Sequence, residues 1–246
     1  MLKALLKQVG ELVDYHHQVY RIVESQAVAA TTTLVDDLEE QALLEELLDD
    51  IKPPYRAGSR ERHYLISTPF RYPPLKYGSR FGDRTMPSFF YASEEQQTVL
   101  AECAYYRFAF LTAMEQPYVK AILSEHTIFC VCVDSTQAVD LTHLTEPDII
   151  EQLTDKQDYS FTQRLGKTLV NEHEAKVIRF CCARADTGIN VAVACPSEIT
   201  STQPQNPVNW LCHTTHEVIS FNTRGQKPIS FEKTHYCVDG FFPMPA

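Results

Sequence analysis

Residues 78–107 read GSRFGDRTMPSFFYASEEQQTVLAECAYYR, and we interpret the rest of the chain as a scaffold for them. The stretch begins with a glycine-punctuated loop that contains Arg80 and Arg84. It continues through an aromatic run that ends at Tyr91. It closes with a helix-like segment whose single carboxylate among apolar neighbours is Glu102. Guanidinium groups bind phosphate oxygens through paired hydrogen bonds, and aromatic faces stack on flat rings. These groups together suit a phosphate-bearing, ring-bearing substrate such as a dinucleotide.

The same residues also allow a purely structural interpretation. Arginines beside glycines are often solvated loop charges, and the run Phe89–Tyr91 also reads as a core strand. Glu102 could simply pair with Arg107. On composition alone the structural interpretation is preferred over the substrate-binding one, because short motifs often match by chance.

Several segments resemble a known family. They are TPFRYPPLKYGSRFGDR, FFYAS and LAECAYYR, with VYRIVESQ before them and IRFCCAR and GINVAV after them. Together they resemble the RES domain, named for its Arg, Glu and Ser, from about Tyr20 to Pro196. The resemblance implies an ADP-ribosyltransferase-like fold, consumption of NAD as substrate, and the toxin role in an Xre–RES toxin–antitoxin pair. An Xre-type antitoxin is the partner that it implies.

The resemblance also implies a catalytic set. Arg84 matches the arginine of the Gly-x-Arg step, Tyr91 matches the tyrosine and Glu102 matches the glutamate. The family's serine position, before a small residue and an arginine, holds Cys182 here. Because a thiol is a weaker hydrogen-bond donor than a hydroxyl, this departure puts full activity in question.

Further residues are expected to bind NAD. Arg80 would share the pyrophosphate with Arg84. Arg21, in the strand-like QVYRIV, and Arg71, in PFRY, compete for the role of the family's first NAD-contacting arginine. The alternative for either one is a plain surface arginine. Tyr72 would line the same pocket, because the neighbouring prolines hold the chain extended.

The expected reaction is cleavage of the nicotinamide–ribose bond through an oxocarbenium-like state. Glu102 would bond the ribose hydroxyls and offset the growing positive charge, while Tyr91 would stack on nicotinamide or shape its slot. The acceptor stays open. Water would make the protein a glycohydrolase, phosphate a phosphorylase, and a protein side chain an ADP-ribosyltransferase. A catalytically weak module that binds NAD or an antitoxin is the alternative from a different class.

Other chemistries have weaker support in the sequence. A metal site is not expected, because the cysteines and histidines lack paired Cys-x2-Cys spacing and Cys130 and Cys132 alternate on one face of a core strand. A nucleophilic Cys182 would need a base such as His173 or His213 beside it, and no local signature indicates one. No Gly-x-Gly-x-x-Gly follows a strand, so a Rossmann site is not expected.

Composition limits the partners and the compartment. The 246 residues are 44% hydrophobic and carry a net charge of −10, which argues against direct nucleic-acid binding. No apolar run approaches the roughly 20 residues of a membrane span, and the first residues do not read as a secretory signal. We expect reduced thiols and a cytoplasmic protein. The helix predicted at the N-terminus and the acidic helix predicted over LVDDLEEQALLEELLDDI (34–51) are candidate surfaces for a homo-oligomer or a basic partner.

The patterns predict an α+β fold of mixed central sheets with flanking helices around an ADP-ribosyltransferase-like core. We expect one domain in three segments. They are N-terminal helices and a first strand packed on the core (1–55), an NAD-binding core (56–200) and C-terminal strands that complete it (201–246).

The periodicity of the hydrophobic residues and the positions of turn-forming residues locate the individual helices and strands. Four helices are predicted. The first covers the first sixteen or so residues, and the second runs from N-cap hydroxyls at Thr31–Thr33 to the KPP at 52–54. The third runs from Glu102 to about Ala113, and the fourth begins at a capping box formed by Ser160 and Gln163. Strands are predicted at 18–23, 63–68, 127–133, 176–182, 189–195, 210–221 and 227–233.

Overall fold

The structure is a computed structural model that describes residues 2–25, 34–116, 118 and 120–244. The expected N-cap residues Thr31–Thr33 lie outside the described residues. The helices are α1 (Leu2–Val9), α2 (Leu38–Asp50), α3 (Tyr64–Arg71), α4 (Gln96–Thr112), α5 (Pro147–Thr154), α6 (Ser160–Asn171) and α7 (Lys233–Tyr236). The strands are β1 (Val13–Glu24), β2 (Phe90–Ser93), β3 (Ile122–Asp140), β4 (Val177–Cys181), β5 (Ile189–Val193), β6 (Gln205–Thr214), β7 (Val218–Asn222) and β8 (Ile229–Glu232).

The strands form one eight-stranded sheet in the order β1-β2-β5-β4-β3-β6-β7-β8, and β1 also pairs with β3. That second pairing closes β1, β2, β5, β4 and β3 into a ring, from which β6, β7 and β8 extend. The β3–β4 pair is parallel and the other ladders are antiparallel. The expected α+β class with a mixed sheet and flanking helices is confirmed, although one continuous sheet replaces the several sheets predicted.

Apolar residues on both faces of the sheet build the core. One cluster packs α1, α5 and α6 against β4 and β5, and it includes Phe81 and Phe180. Another lies on β1, β2 and β3, and it includes Val19, Phe90 and Phe129. The remaining cluster packs α4 and α7 against β3, β6 and β7. Apolar side chains of the sheet and of α7 therefore pack against helix α4 along most of its length.

Two predicted elements near the N-terminus are wrong. The first helix ends at Val9, where Gly10 adopts a φ of 73°, and the chain becomes β1 at Val13. A glycine in that conformation ends a helix. Residues 63–68 form the start of helix α3 instead of a strand. His63 caps this helix by accepting a hydrogen bond from the Leu65 N–H, and residues 66, 67 and 70 are buried on one helical face.

Other boundaries also differ from the prediction. Helix α4 begins at Gln96, after an extended Glu95, so Glu102 lies in its second turn and not at its start. The capping box at Ser160 does not form, because Tyr159 is the N-cap and Ser160 is the first helical residue, whose N–H donates to Asp158. The Gln163 amide donates to the carbonyls of Tyr77 and Ser79. The segment 210–221 is a hairpin of β6 and β7, with a turn around Thr215.

Candidate functional site

A cavity of about 410 Å³ opens between β1, β2, helix α4 and the loop before β2. This volume lies within the range of small-molecule sites. Four sequence-predicted residues line the cavity: Arg21, Arg80, Tyr91 and Glu102. The pairing of β1 with β2 explains why Arg21 and Tyr91 lie at the same cavity, although they are distant in sequence.

Glu102 reaches the cavity because of its position on α4. Val99, Glu102, Cys103 and Tyr106 follow helical spacing and line the cavity together. The Glu102 Oε1 atom accepts hydrogen bonds from Asn190 Nδ2 at 2.7 Å and from Cys182 Sγ at 3.1 Å. The pairing of Glu102 with Arg107 is not found.

Arg107 takes other partners instead. Its Nη1 lies 4.0 Å from Glu24, and its Nε donates to Thr214. The carboxylate of Glu102 therefore has no cation of its own helix bound to it.

Cys182 lies behind Glu102 and is not part of the cavity wall. Its thiol is buried and donates to Glu102, while the Arg184 N–H donates to the sulfur at 3.3 Å. Burial, together with the charge of Glu102, raises the pKa of the Cys182 thiol. The residue is therefore a neutral hydrogen-bond donor, which disfavours its alternative role as a thiolate nucleophile.

Arg21 supplies one cation of the cavity. Its Nη1 donates to the Tyr91 carbonyl at 2.6 Å, and its guanidinium carbon lies 4.9 Å from the centre of the Phe90 ring. Its Nε is buried without a hydrogen-bond partner among the described residues. Burial lowers the pKa of Arg21 to about 10, so the side chain keeps its charge at neutral pH.

Arg80 supplies the second cation from the loop before β2. Its Nη1 donates to the carbonyls of Leu153 and Asp155, each at 3.0 Å, and its guanidinium carbon lies 4.5 Å from the centre of the Tyr159 ring. The loop packs tightly on α6, where a Cβ at Gly166 would overlap the Phe81 carbonyl. The guanidinium group of Arg80 is therefore anchored by the hydrogen bonds of Nη1.

Tyr91 fixes the same loop. Its hydroxyl lies 2.8 Å from Ser79 Oγ and accepts a hydrogen bond from the Phe81 N–H at 3.0 Å. Burial raises the pKa of Tyr91 to about 12, so the phenol stays protonated at neutral pH. Its ring forms part of the cavity wall, and its hydroxyl binds the backbone N–H of the residue next to Arg80.

Three predicted residues lie away from the cavity. Arg84 is exposed in a turn of the loop before β2 and does not line the cavity. Arg71 is held outside it, because its Nε donates to the Pro53 carbonyl at 2.5 Å and its Nη1 to Asp49 at 3.1 Å. Tyr72 is also exposed. Of the two competing arginines, Arg21 lies at the cavity and Arg71 does not.

The sequence reasoning missed other residues at the site. Asn190 bonds Glu102, and Tyr159 and Tyr106 line the cavity. Buried Arg184 donates to the Tyr159 hydroxyl at 2.9 Å and so orients that ring. An asparagine within the apolar run INVAV was the one available signal, since buried polar residues in strands need partners.

An ion-pair network supports the strands beside the cavity. Arg179 donates to both carboxylate oxygens of Glu94, at 2.8 and 3.0 Å, and to Asp140 at 2.9 Å, while Tyr15 donates to Glu94. Burial alone would raise the pKa of both carboxyl groups. The hydrogen bonds from Arg179 and Tyr15 to Glu94, and from Thr142 and Arg179 to Asp140, outweigh it and lower both pKa values.

This network predicts acid-dependent stability. Because the folded-state pKa values of Glu94 and Asp140 are lowered, their stabilising contribution is present above the unfolded values of about 4 and is lost as pH falls through the folded ones. Urea unfolding of the parent should therefore show a falling free energy of unfolding from pH 5 to pH 3. Glu94→Gln should be less stable than the parent at pH 7, with the difference shrinking at pH 3. An equal difference at both pH values would contradict the assignment.

The described ranges contain neither a metal-ligand cluster nor a helix suited to crossing a membrane. Among those residues, no group of three or more His, Cys, Asp and Glu side chains is arranged to hold a metal ion. None of the described helices combines the length and the apolar character that crossing a bilayer requires.

Comparisons with known proteins identify a family and a similarity to a solved structure. The sequence matches the family described as the RES domain over residues 53–211. No curated protein matches the chain. The chain is similar to a chain in the crystal structure of the M. tuberculosis MbcT-MbcA toxin-antitoxin complex, with a TM-score of 0.48 and 14% identity, over 85% of this chain and 91% of that chain.

Proposed function

The chain belongs to the RES domain family, and from this premise we propose that it consumes NAD by cleaving the nicotinamide–ribose bond, as a glycohydrolase or a phosphorylase. The observation that carries the proposal is the shared cavity, in which one carboxylate and two anchored guanidinium groups face the same space. That pairing of charges suits NAD, in which an anionic pyrophosphate is joined to a cationic nicotinamide riboside.

Glu102 acts on the sugar in this proposal. The bond from the ribose carbon to the nicotinamide nitrogen breaks, its electron pair leaves with nicotinamide, and positive charge grows on the sugar. The carboxylate stabilises that charge and bonds the ribose hydroxyls, which is stabilisation directed at the transition state. Water then attacks the same carbon and releases a proton to solvent, giving ADP-ribose. Phosphate in place of water gives a phosphorylated ADP-ribose.

The arginines bind the pyrophosphate in this proposal. Arg21 and Arg80 are each anchored through Nη1, and their Nη2 groups make no hydrogen bond to the described residues. Guanidinium groups that are held before substrate arrives lose little freedom on binding. The proposal assigns no phosphate contact to Arg84 or Arg71, because neither lines the cavity.

Tyr91 and Tyr159 shape the walls of the proposed site. Tyr91 presents its ring to the cavity while its hydroxyl is occupied by the loop, so it would contribute ring contact with nicotinamide and no proton transfer.

Cys182 serves in the proposal as a donor to Glu102. We expect Cys182→Ser to keep the activity or to raise it by about two- to tenfold, since a hydroxyl is the stronger donor to a carboxylate. Initial rates of NAD consumption at pH 7 measure this change. A nucleophilic thiol predicts the opposite result, in which the serine variant loses nearly all activity and alkylation of the parent blocks it.

The reaction itself is tested with purified protein and NAD labelled in its adenylate half. Free nicotinamide together with labelled ADP-ribose indicates the glycohydrolase. A product that appears only when phosphate is added indicates the phosphorylase. Label on added cell protein indicates an ADP-ribosyltransferase, and NAD binding without any product indicates a binding module. Either of the last two results would contradict the proposed reaction.

The partner in this proposal is an Xre-type antitoxin, which follows from the family resemblance. NAD consumption would be toxic to the producing cell, so a toxin of this kind requires a neutralising protein in the same compartment. We propose a cytoplasmic location for the same reason. Inducible expression with cellular NAD and growth as readouts tests toxicity, and co-expression of the neighbouring reading frame tests neutralisation.

A further inference from the structure

We propose that Asn190 is a positioning residue for Glu102. Its side-chain amide holds one oxygen of the carboxylate so that the other oxygen faces the substrate. The inference rests on the proposed function, because it concerns the same carboxylate, and it adds a residue to which the family resemblance gave no role.

Both protein donors converge on one oxygen of Glu102. Asn190 Nδ2 and the Cys182 thiol bind Oε1 at 2.7 and 3.1 Å. The Oε2 atom accepts no hydrogen bond from the described residues, and Glu102 lines the cavity. The terminal torsion of a glutamate is broad and intrinsically loose. Two donors on the same oxygen remove that freedom and leave Oε2 for the ribose hydroxyls.

Asn190 is itself fixed by the sheet. Ser93 Oγ donates to Asn190 Oδ1 at 2.6 Å, which requires the oxygen to face Ser93 and the amide nitrogen to face Glu102. Ser93 and Asn190 are paired residues on β2 and β5, and their exposed fractions are only 3% and 6%. The chain Ser93–Asn190–Glu102 therefore connects the rigid sheet to the functional side chain of α4.

A purely structural role is the competing explanation. Buried asparagines are normally hydrogen-bonded, and such bonds stabilise a fold whether or not a neighbour is catalytic. The two explanations differ in what removal of the amide does. A structural role affects stability alone. A positioning role lowers kcat while the dissociation constant of NAD stays almost unchanged, because the arginines still bind the pyrophosphate.

The closing experiment combines kinetics on Asn190→Leu, which keeps the side-chain size and removes the donor, with a matched control. We expect kcat to fall about 10- to 30-fold and the dissociation constant of NAD to change less than about twofold. Asn209→Leu, an exposed asparagine on β6 that bonds Thr127, should keep the parental kcat. Ser93→Ala, which keeps the Asn190–Glu102 contact but frees the amide, should lower kcat by about two- to fivefold.

A rescue variant gives a readout that a structural role would not change. Because both donors bind Oε1, adding Cys182→Ser to Asn190→Leu should restore kcat severalfold by strengthening the remaining donor. Parental kcat in Asn190→Leu, or a loss that Cys182→Ser does not reduce, would overturn the inference. If Asn190→Leu fails to fold, the Ser93→Ala result and the spectroscopic test below decide it.

The spectroscopic test separates this inference from the proposed reaction. The side-chain amide protons of Asn190, assigned through their connection to the backbone resonances of the same residue, should shift in NMR spectra of Glu102→Gln, because a charged acceptor is replaced by a neutral one. Unchanged amide signals would refute the positioning contact even if NAD is consumed. Shifted signals in a protein that consumes no NAD would refute the proposed reaction and leave the contact in place.

Discussion

Replacing Glu102 with glutamine should lower NAD consumption about 10²- to 10³-fold, the loss typical for removal of one preorganised electrostatic group. The amide has the shape of the carboxylate, and its oxygen can still accept from Asn190 and Cys182, so the fold should persist. What disappears is the negative charge that stabilises the developing sugar cation. The dissociation constant of NAD should change much less than kcat, because ground-state binding rests on the arginines.

The matched control for this variant lies immediately before the same helix. Glu95 precedes α4 and is exposed, and its side chain makes no capping hydrogen bond. Glu95→Gln should retain the parental rate. Circular dichroism and thermal unfolding of both variants check that they fold. An active, folded Glu102→Gln protein would remove the role assigned to this carboxylate.

Replacing Arg21 with methionine should lower kcat/KM about 10²-fold, since a charge-assisted hydrogen bond to a phosphate contributes on the order of 1.5–3 kcal/mol. Most of the effect should appear in KM, because the pyrophosphate is distant from the reacting bond. Methionine retains the apolar packing on Phe90 that the arginine stem provides. Loss of the bond to the Tyr91 carbonyl should lower stability slightly.

Arg84→Met is the matched control for Arg21→Met. Arg84 matches the family's Gly-x-Arg step, and yet it is exposed and lies outside the cavity. Its replacement should leave kcat/KM within about twofold of the parent, because a side chain outside the cavity contributes no binding energy to the substrate or the transition state. If Arg84→Met were the more damaging of the two, the sequence-based assignment of the phosphate contact would be right and the cavity-based one wrong.

Three of the predicted residues line one cavity partly because they lie close together in the sequence. Glu102, Tyr91 and Arg80 belong to one continuous stretch, and helical spacing alone directs Glu102 and Tyr106 to one side of α4. The α+β class followed from the alternation of strand-like and helix-like segments.

The sequence could not predict which distant segments meet. Arg21 reaches the cavity because β1 pairs with both β2 and β3, and that ring closure has no local signature. Arg71 and Arg84 were assigned by motif proximity, but Arg71 is the last residue of helix α3 and Arg84 lies in the proline-containing loop that follows it. Helix α3 was mistaken for a strand because its six apolar and hydroxyl residues fit either period over so short a length. Asn190 was missed because its partner lies 88 positions away.

A crystal structure of Glu102→Gln soaked with NAD tests the central claim most directly, because the slow variant should retain the intact dinucleotide. The account predicts the nicotinamide ribose within hydrogen-bond distance of residue 102 and the pyrophosphate bound by Arg21 and Arg80. NAD bound elsewhere on the chain, or with its phosphates against Glu102, would contradict it.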